Sequence, residues 1–280
     1  MEQLQSLYQT IDVDVGQKAL YEYIVRSSPV SDERIFFVIG LAAAHSGAFF
    51  GLNFFYGMLT RIMGKDIESI RFQPGKHAPP ELVRHCKIYV TIWHMLAPLM
   101  PYLLYEKAVQ WNPNQFALNA MPGIITILFQ LVIAYICTDC LFYWGHRLLH
   151  VGPLYRWIHK QHHKFYVSIG FAAEYAHPIE LLLCNVVPVV FAPVVFKYHY
   201  FVFCLWIAIA IMGTVSGHSG ISSPFAEENG FHDFHHSANV GNYGSMPHWD
   251  RLFGTDKAWR EHKAKLKAAT NGPKAKPKSE

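Results

Sequence analysis

The stretch AMPGIITILFQLVIAYICTDCLFYWGHRLLH, residues 120–150, carries two signals in one segment. From Ala120 to Trp144 it is apolar for 25 residues, interrupted by a single acid, Asp139. A helix that crosses a bilayer needs about 20 such residues. The run then ends on His146-Arg-Leu-Leu-His150, two imidazoles spaced to share one helix edge. The expected nucleus of the fold is a spanning helix whose end presents a chelating pair.

Three more apolar runs surround it. Ile35 to Leu59 is broken only by His45 and Asn53, and Ile88 to Tyr105 contains His94, Pro98 and Pro101. Pro178 to Gly213 is too long for one span, and its Lys197-Tyr-His199 centre predicts a hairpin of two short helices. The expectation is an all-α integral membrane protein of about three transmembrane helices plus this hairpin. A soluble bundle is excluded because four such runs exceed what a 280-residue globule can bury. Only 16% of residues are charged, against about 25% in soluble domains.

Basic residues orient the chain. Lys and Arg number six in residues 60–87, four in 146–177 and nine after Gly213, but none fall in 108–119. An outside N-terminus puts all three rich segments on one side, which the positive-inside rule makes cytosolic. Residues 1–34 form an N-terminal segment without the basic start and short apolar core of a cleaved signal peptide. Residues 35–145 hold the first spans and a cytosolic loop. The Pro/Lys-rich tail, 270–280, is expected to be disordered. Cys137-Thr-Asp-Cys140 lies inside a membrane-length helix and reads as packing.

The histidines carry the chemistry. Beyond His146 and His150 stand His159-Lys-Gln-His162-His163 and His232-Asp-Phe-His235-His236, with His218 alone before the last group. With 17 His in 280 residues, an H-x2-H-H pattern is expected by chance roughly 0.06 times, and it occurs twice. Residues three and four apart share a helix face, so each group can chelate. Eight or more imidazoles exceed one tetrahedral ion, and two metals are the simpler count. Imidazole suits Zn, Cu, Fe and Ni alike, so the ligands do not choose among them. Asp139 lies along the same helix face as Tyr143, His146 and His150. A buried acid in a span suggests function, and Asp139 is expected to accept the outer N–H of a ligating histidine, most simply one from the last box.

These residues resemble the fatty-acid hydroxylase/sterol desaturase superfamily of membrane non-haem di-iron oxygenases over Asp139 to Lys265. Phe142-Tyr-Trp-Gly-His-Arg-Leu-Leu-His150, Ala173-Glu-Tyr-Ala-His-Pro-Ile-Glu180, Gly241-Asn-Tyr-Gly244 and Trp249-Asp-Arg-Leu-Phe-Gly-Thr-Asp256 are most similar to C-4 methylsterol monooxygenases. Two stretches depart from that subfamily, Ile221-Ser-Ser-Pro-Phe225 and Met246-Pro-His248, the latter closer to sterol side-chain hydroxylases. The resemblance implies a cytosolic catalytic domain over 139–265 that uses two Fe ions and O2 to oxidise a sterol, with His177 as a further candidate ligand. It also implies cytochrome b5 and an NAD(P)H-dependent reductase as electron donors, since the chain has no flavin, nicotinamide or haem fingerprint. Nothing points to nucleic acid. Lys276 and Lys278 resemble a dilysine retrieval signal, which implies the endoplasmic reticulum membrane with a cytosolic C-terminus.

Alternatives within the chemistry are a sterol C-5 desaturase, a sterol side-chain hydroxylase and a fatty-acid or sphingolipid hydroxylase. Outside it stands a zinc transporter or metal-binding membrane protein. A transporter places its ligands near mid-membrane, whereas these boxes flank the spans.

Overall fold

The computed structural model describes residues 33–117, 120–222 and 230–271. Most of the N-terminal segment, and all but the first two residues of the basic tail, lie outside them, as do Lys276 and Lys278. The described chain is helical, and its one β-bridge joins Arg71 to Ile221. Five helical stretches are long and apolar enough to cross a membrane. This matches three spans plus a two-helix hairpin.

The first span runs from α1 (Glu33–Ala42) through a widened π-type turn, Ala43–Gly47, into α2 (Ala48–Met63). The second, read from Ile88 to Tyr105 with its two prolines, runs over 80–111 and is bent. It consists of α3 (Pro80–Leu96) and α4 (Leu99–Trp111). Pro98 and Pro101 have no N–H to donate, so the ladder breaks at Ala97 and resumes with Tyr102 N donating to Pro98 O at 3.2 Å. The bent leg folds back on α1, where Tyr105 donates to Glu33 at 3.2 Å and Arg34 pairs with Glu106.

The third span, α5 (Ile124–Leu149), begins after Gly123 and extends past the apolar run to include His146. A short α6 (Gly152–Trp157) leads to a tight turn, His159–Lys164, and another at Gly170–Glu174. The hairpin's first leg, Pro178–Val195, passes through a wide turn at Leu181–Val186 into α7 (Val187–Val195). Lys197, at φ +53°, turns the chain into α8 (Tyr200–His218), capped by His199 Nδ1 accepting from Phe201 N. Each leg spans 18 residues, about 27 Å at 1.5 Å per residue, close to a bilayer's apolar thickness. Three helices follow: α9 (Gly230–Ala238), α10 (His248–Phe253) and α11 (Lys257–Asn271).

α8 is the central post, packing against α2, α5, α7 and the Gly170–Glu174 turn. Phe37, Phe49, Val90, Phe165, Tyr200 and Val215 form one buried core, while Ile127, Ala134, Ala192, Val202 and Trp206 form a second between α5, α7 and α8. Outward-facing side chains such as Phe54, Ile62, Met95, Leu103 and Phe129 are apolar yet more than 60% exposed, as lipid-facing positions require. The connections sort to two ends. At one, Phe72 N donates to Gly220 O and Ser222 N to Ile70 O, and the His boxes lie there. At the other, Tyr200 N donates to Gln115 O and Trp111 Nε1 to Val194 O. The described parts of the basic-rich segments thus share the box-bearing end.

Candidate metal centre

α5 delivers His146 and His150 one turn apart, and the sequence then supplies His159, His162 and His163 on a tight turn just beyond α6. α8 ends on His218, and α9 presents His232, His235 and His236. These elements bring nine imidazoles into two groups. His146, His150, His159, His163 and His235 form the first, and His162, His218, His232 and His236 the second.

Each H-x2-H-H box is divided between the groups. His159 and His163, four residues apart, stay together, as do His232 and His236. The residue one short of the end, His162 or His235, goes to the other group. On α9 the reason is rotation: at 100° per residue, i and i+4 diverge by 40°, but i+3 sits on the other side of i. The reading that all three residues of a box share one face needs this correction.

The nitrogens converge. In the first group Nε2–Nε2 separations are 3.0 Å for His146–His159, His159–His150 and His163–His159, and 3.1 Å for His150–His235 and His235–His163. In the second they run from 2.9 Å for His232–His218 to 3.3 Å for His218–His162. For four of the nine rings the outer nitrogen fixes which way the ring's lone pair faces. His146 Nδ1 donates to Tyr243 O at 2.7 Å, His235 Nδ1 to Gly241 O at 2.5 Å and His218 Nδ1 to Thr214 O at 2.8 Å. A carbonyl only accepts, so the single proton of each neutral ring is used there and the Nε2 lone pair faces inward. His159 does the same towards Glu180 Oε1 at 2.7 Å. Lone pairs aimed at one another about 3 Å apart repel unless a cation lies between them. Nitrogens bound to one ion at about 2.0–2.1 Å sit about 2.9–3.4 Å apart, so both groups fit a metal.

Burial keeps the rings neutral. It pushes His150 and His218 down to about 4 and, with His150 and His218 as neighbours, His163 to about 3. His162, His232, His235 and His236 are also held well below the usual imidazole range by burial and by the other histidines. Neutral imidazole is the metal-binding form. The second group is wholly buried, whereas His150 and His163 leave the first partly open.

The loop after α9 anchors the rings. Asp250 accepts from Tyr243 N at 2.8 Å, Gly244 N at 2.7 Å and Thr255 Oγ1 at 2.6 Å, fixing the carbonyl that holds His146. Gly241 lies at φ +60°, and a Cβ there would come within 2.1 Å of Thr255 O, so only glycine fits.

Two expectations differ from the structure. Asp139 contacts no box histidine; it accepts from Ser245 Oγ at 2.7 Å and Met246 N at 3.3 Å. It sits too far down α5 to reach the rings and instead holds the loop that follows Tyr243. His177 belongs to neither group. Its Nδ1 accepts from Ile179 N at 3.2 Å and caps the hairpin's first leg. The carboxylate beside a box imidazole is Glu180, which sequence reading quoted without a role. Its signal was there: an acid two residues after a proline-started helix, in an otherwise apolar run.

The family model described as fatty acid hydroxylase matches residues 131–255, which hold all nine histidines. A Dictyostelium discoideum protein named "putative methylsterol monooxygenase" is 31% identical over 80% of this chain and 85% of its own. A fatty acid hydroxylase of Mycosarcoma maydis is 30% identical over 78% of this chain and 57% of its own length. A very-long-chain aldehyde decarbonylase of Oryza sativa subsp. japonica is 32% identical over 68% of this chain and 75% of its own. No solved structure matches the chain.

Proposed function

Because the chain belongs to the fatty acid hydroxylase family, a family of membrane oxidoreductases, we propose that it is an O2-dependent di-iron monooxygenase that oxidises a C-4 methyl group of a sterol. The observation that carries the reading is the pair of all-imidazole groups, each with its ring nitrogens converged to about 3 Å of one another. His146, His150, His159, His163 and His235 would hold one iron, and His162, His218, His232 and His236 the other. The bound irons would supply the reductive activation of O2 that attack on an unactivated C–H bond needs.

The protein's own part is placement. Glu180, Tyr243 O, Gly241 O and Thr214 O fix orientation and tautomer of His159, His146, His235 and His218 through outer N–H bonds, which keeps four of the nine donors ready without rearrangement. Full burial of the second group excludes water on that side, so substrate meets the partly open first group. The groups lie at the ends of spans, where a membrane lipid can bring one carbon to the site while its body stays in the bilayer.

The relatives' names favour a sterol through the Dictyostelium protein, and a linear lipid through the hydroxylase and the decarbonylase. The sterol reading rests on the wider coverage of the first and on the motif text around the boxes. Cytochrome b5 and an NAD(P)H-dependent reductase would supply electrons to the box-bearing face. That face is cytosolic in this reading, and Lys276 and Lys278 would retain the protein in the endoplasmic reticulum. Lipid profiling after deletion in the host tests the substrate. Accumulated 4-methyl sterols support the proposal; sterols lacking the C-5 double bond, or normal sterols with altered 2-hydroxy lipids, overturn it in favour of a C-5 desaturase or a fatty-acid or sphingolipid hydroxylase.

A further inference from the structure

The two histidines scattered in the first and second spans meet. His45, in the widened turn between α1 and α2, and His94, near the end of α3, both reach Glu174 of the Gly170–Glu174 turn. His45 Nε2 lies 3.1 Å from Glu174 Oε1, and His94 Nε2 lies 3.0 Å from Oε2. The rings face each other at 4.6 Å, and Phe49 and Phe50 pack on His94 at 4.6 and 4.7 Å. Glu174 and His94 are buried, each less than 10% exposed.

An ordinary charge pair would satisfy these groups with hydrogen bonds. Here His94 Nε2 and Glu174 Oε1 have no hydrogen-bond partner despite the short distances. The donors are close together without pointing at one another. His94 Nδ1 is engaged at 2.8 Å by Ser46 Oγ, which fixes the ring and leaves Nε2 3.0 Å from Glu174 Oε2 without a hydrogen bond to it. Unpartnered buried polar atoms are costly, and a common partner removes the cost. A carboxylate oxygen and an imidazole nitrogen bound to one ion at about 2.0–2.2 Å lie about 3 Å apart, as these do.

We propose that His45, His94 and Glu174 form a third metal site, separate from the two His-box groups, for a divalent ion of the zinc class. Two imidazoles and one carboxylate leave a position for water, and the set has no thiolate to favour softer ions. An ion there would join the first span's wide turn, α3 and the connection that carries Glu180 six residues later. It would therefore pin the approach to the first His-box group without belonging to it.

The test uses zinc alone as the probe, on full-length protein in detergent, stripped and reloaded, with zinc counted per chain. Wild type should hold three ions, and His94→Ala, Glu174→Gln and His45→Ala should each hold two. A His162→Ala/His235→Ala double variant should keep an ion that disappears when His94→Ala is added. Zinc should also raise the melting temperature of wild type by more than it raises that of His45→Ala, whose partly exposed ring makes it the variant best able to fold. Two ions in wild type, unchanged by all three substitutions, would overturn the third site and leave the His-box reading intact. Three ions unaffected by these variants would overturn it too. A single ion lost with His94→Ala would keep the third site and sink the His-box reading instead.

Discussion

Glu180 is the side chain whose role was hardest to see in advance. It is buried and accepts from His159 Nδ1 at 2.7 Å, and His159 in turn touches His146, His150 and His163. Glu180→Gln keeps the shape but exchanges the carboxyl group that accepts from that ring for an amide. Metal affinity or turnover should fall about 10–100-fold, measured by metal competition and by product formation. Unchanged values would return Glu180 to packing. The rings themselves set a pH limit. Their folded values lie below the ordinary 6.5, at about 4 for His150 and His218 and about 3 for His163. A depressed value means that the unfolded chain binds protons the folded site refuses. Stability is therefore full above about 6.5 and is lost as pH falls towards 4. Melting temperature and bound metal should both decline between pH 7 and 5; a flat profile would show that these rings are not held neutral by burial.

At the scale of elements, α9 and the His159–Lys164 turn each serve both groups. His162 and His163 are adjacent in sequence but belong to different groups. His163→Ala should weaken one ion and His162→Ala the other, so the two single variants should each keep about one ion in the boxes and the double variant close to none. Loss of both ions in each single variant would mean one fused cluster. The bend between α3 and α4 has a comparable local origin. Pro98 and Pro101 were visible in the sequence, yet an apolar run reads the same straight or bent. Only the packing of α4 on α1, with Tyr105 donating to Glu33, decides the direction of the fold-back.

Across the described residues, the basic-rich segments meet at the box-bearing end, and the connections at 112–117 and 196–199 gather at the other. On the proposed endoplasmic-reticulum topology, an epitope placed beside Lys76 should be reached by antibody once the plasma membrane alone is permeabilised. One placed beside Asn114 should stay protected. The opposite pattern would invert the topology and move every box histidine to the lumenal side. The same arrangement accounts for the lipid-facing belt of exposed Phe, Leu, Ile and Met side chains, which no aqueous surface of this extent would carry.

Apolar runs of spanning length, the hairpin break at Lys197-Tyr-His199 and the spacing of the His boxes were legible in the sequence alone. Each is a local property: a stretch of about 20 apolar residues must satisfy its backbone internally, and imidazoles four apart on a helix share a face. Which histidines share an ion was not local. The rotation of α9 separates His235 from His232 and His236 locally, but which other rings each side meets depends on how α5, the His159–Lys164 turn, α8 and α9 pack. The same holds for the acids. Asp139 looked like the partner of a ligand because it lies on the right stripe of α5, but the loop after α9 reaches it first through Ser245. Glu180 and Glu174 gained their partners only when the connection between α6 and α7 folded against α3 and α5. Hydrogen bonds and metal donors are satisfied by whatever atoms arrive within about 3 Å, and arrival is a property of packing rather than of spacing along the chain.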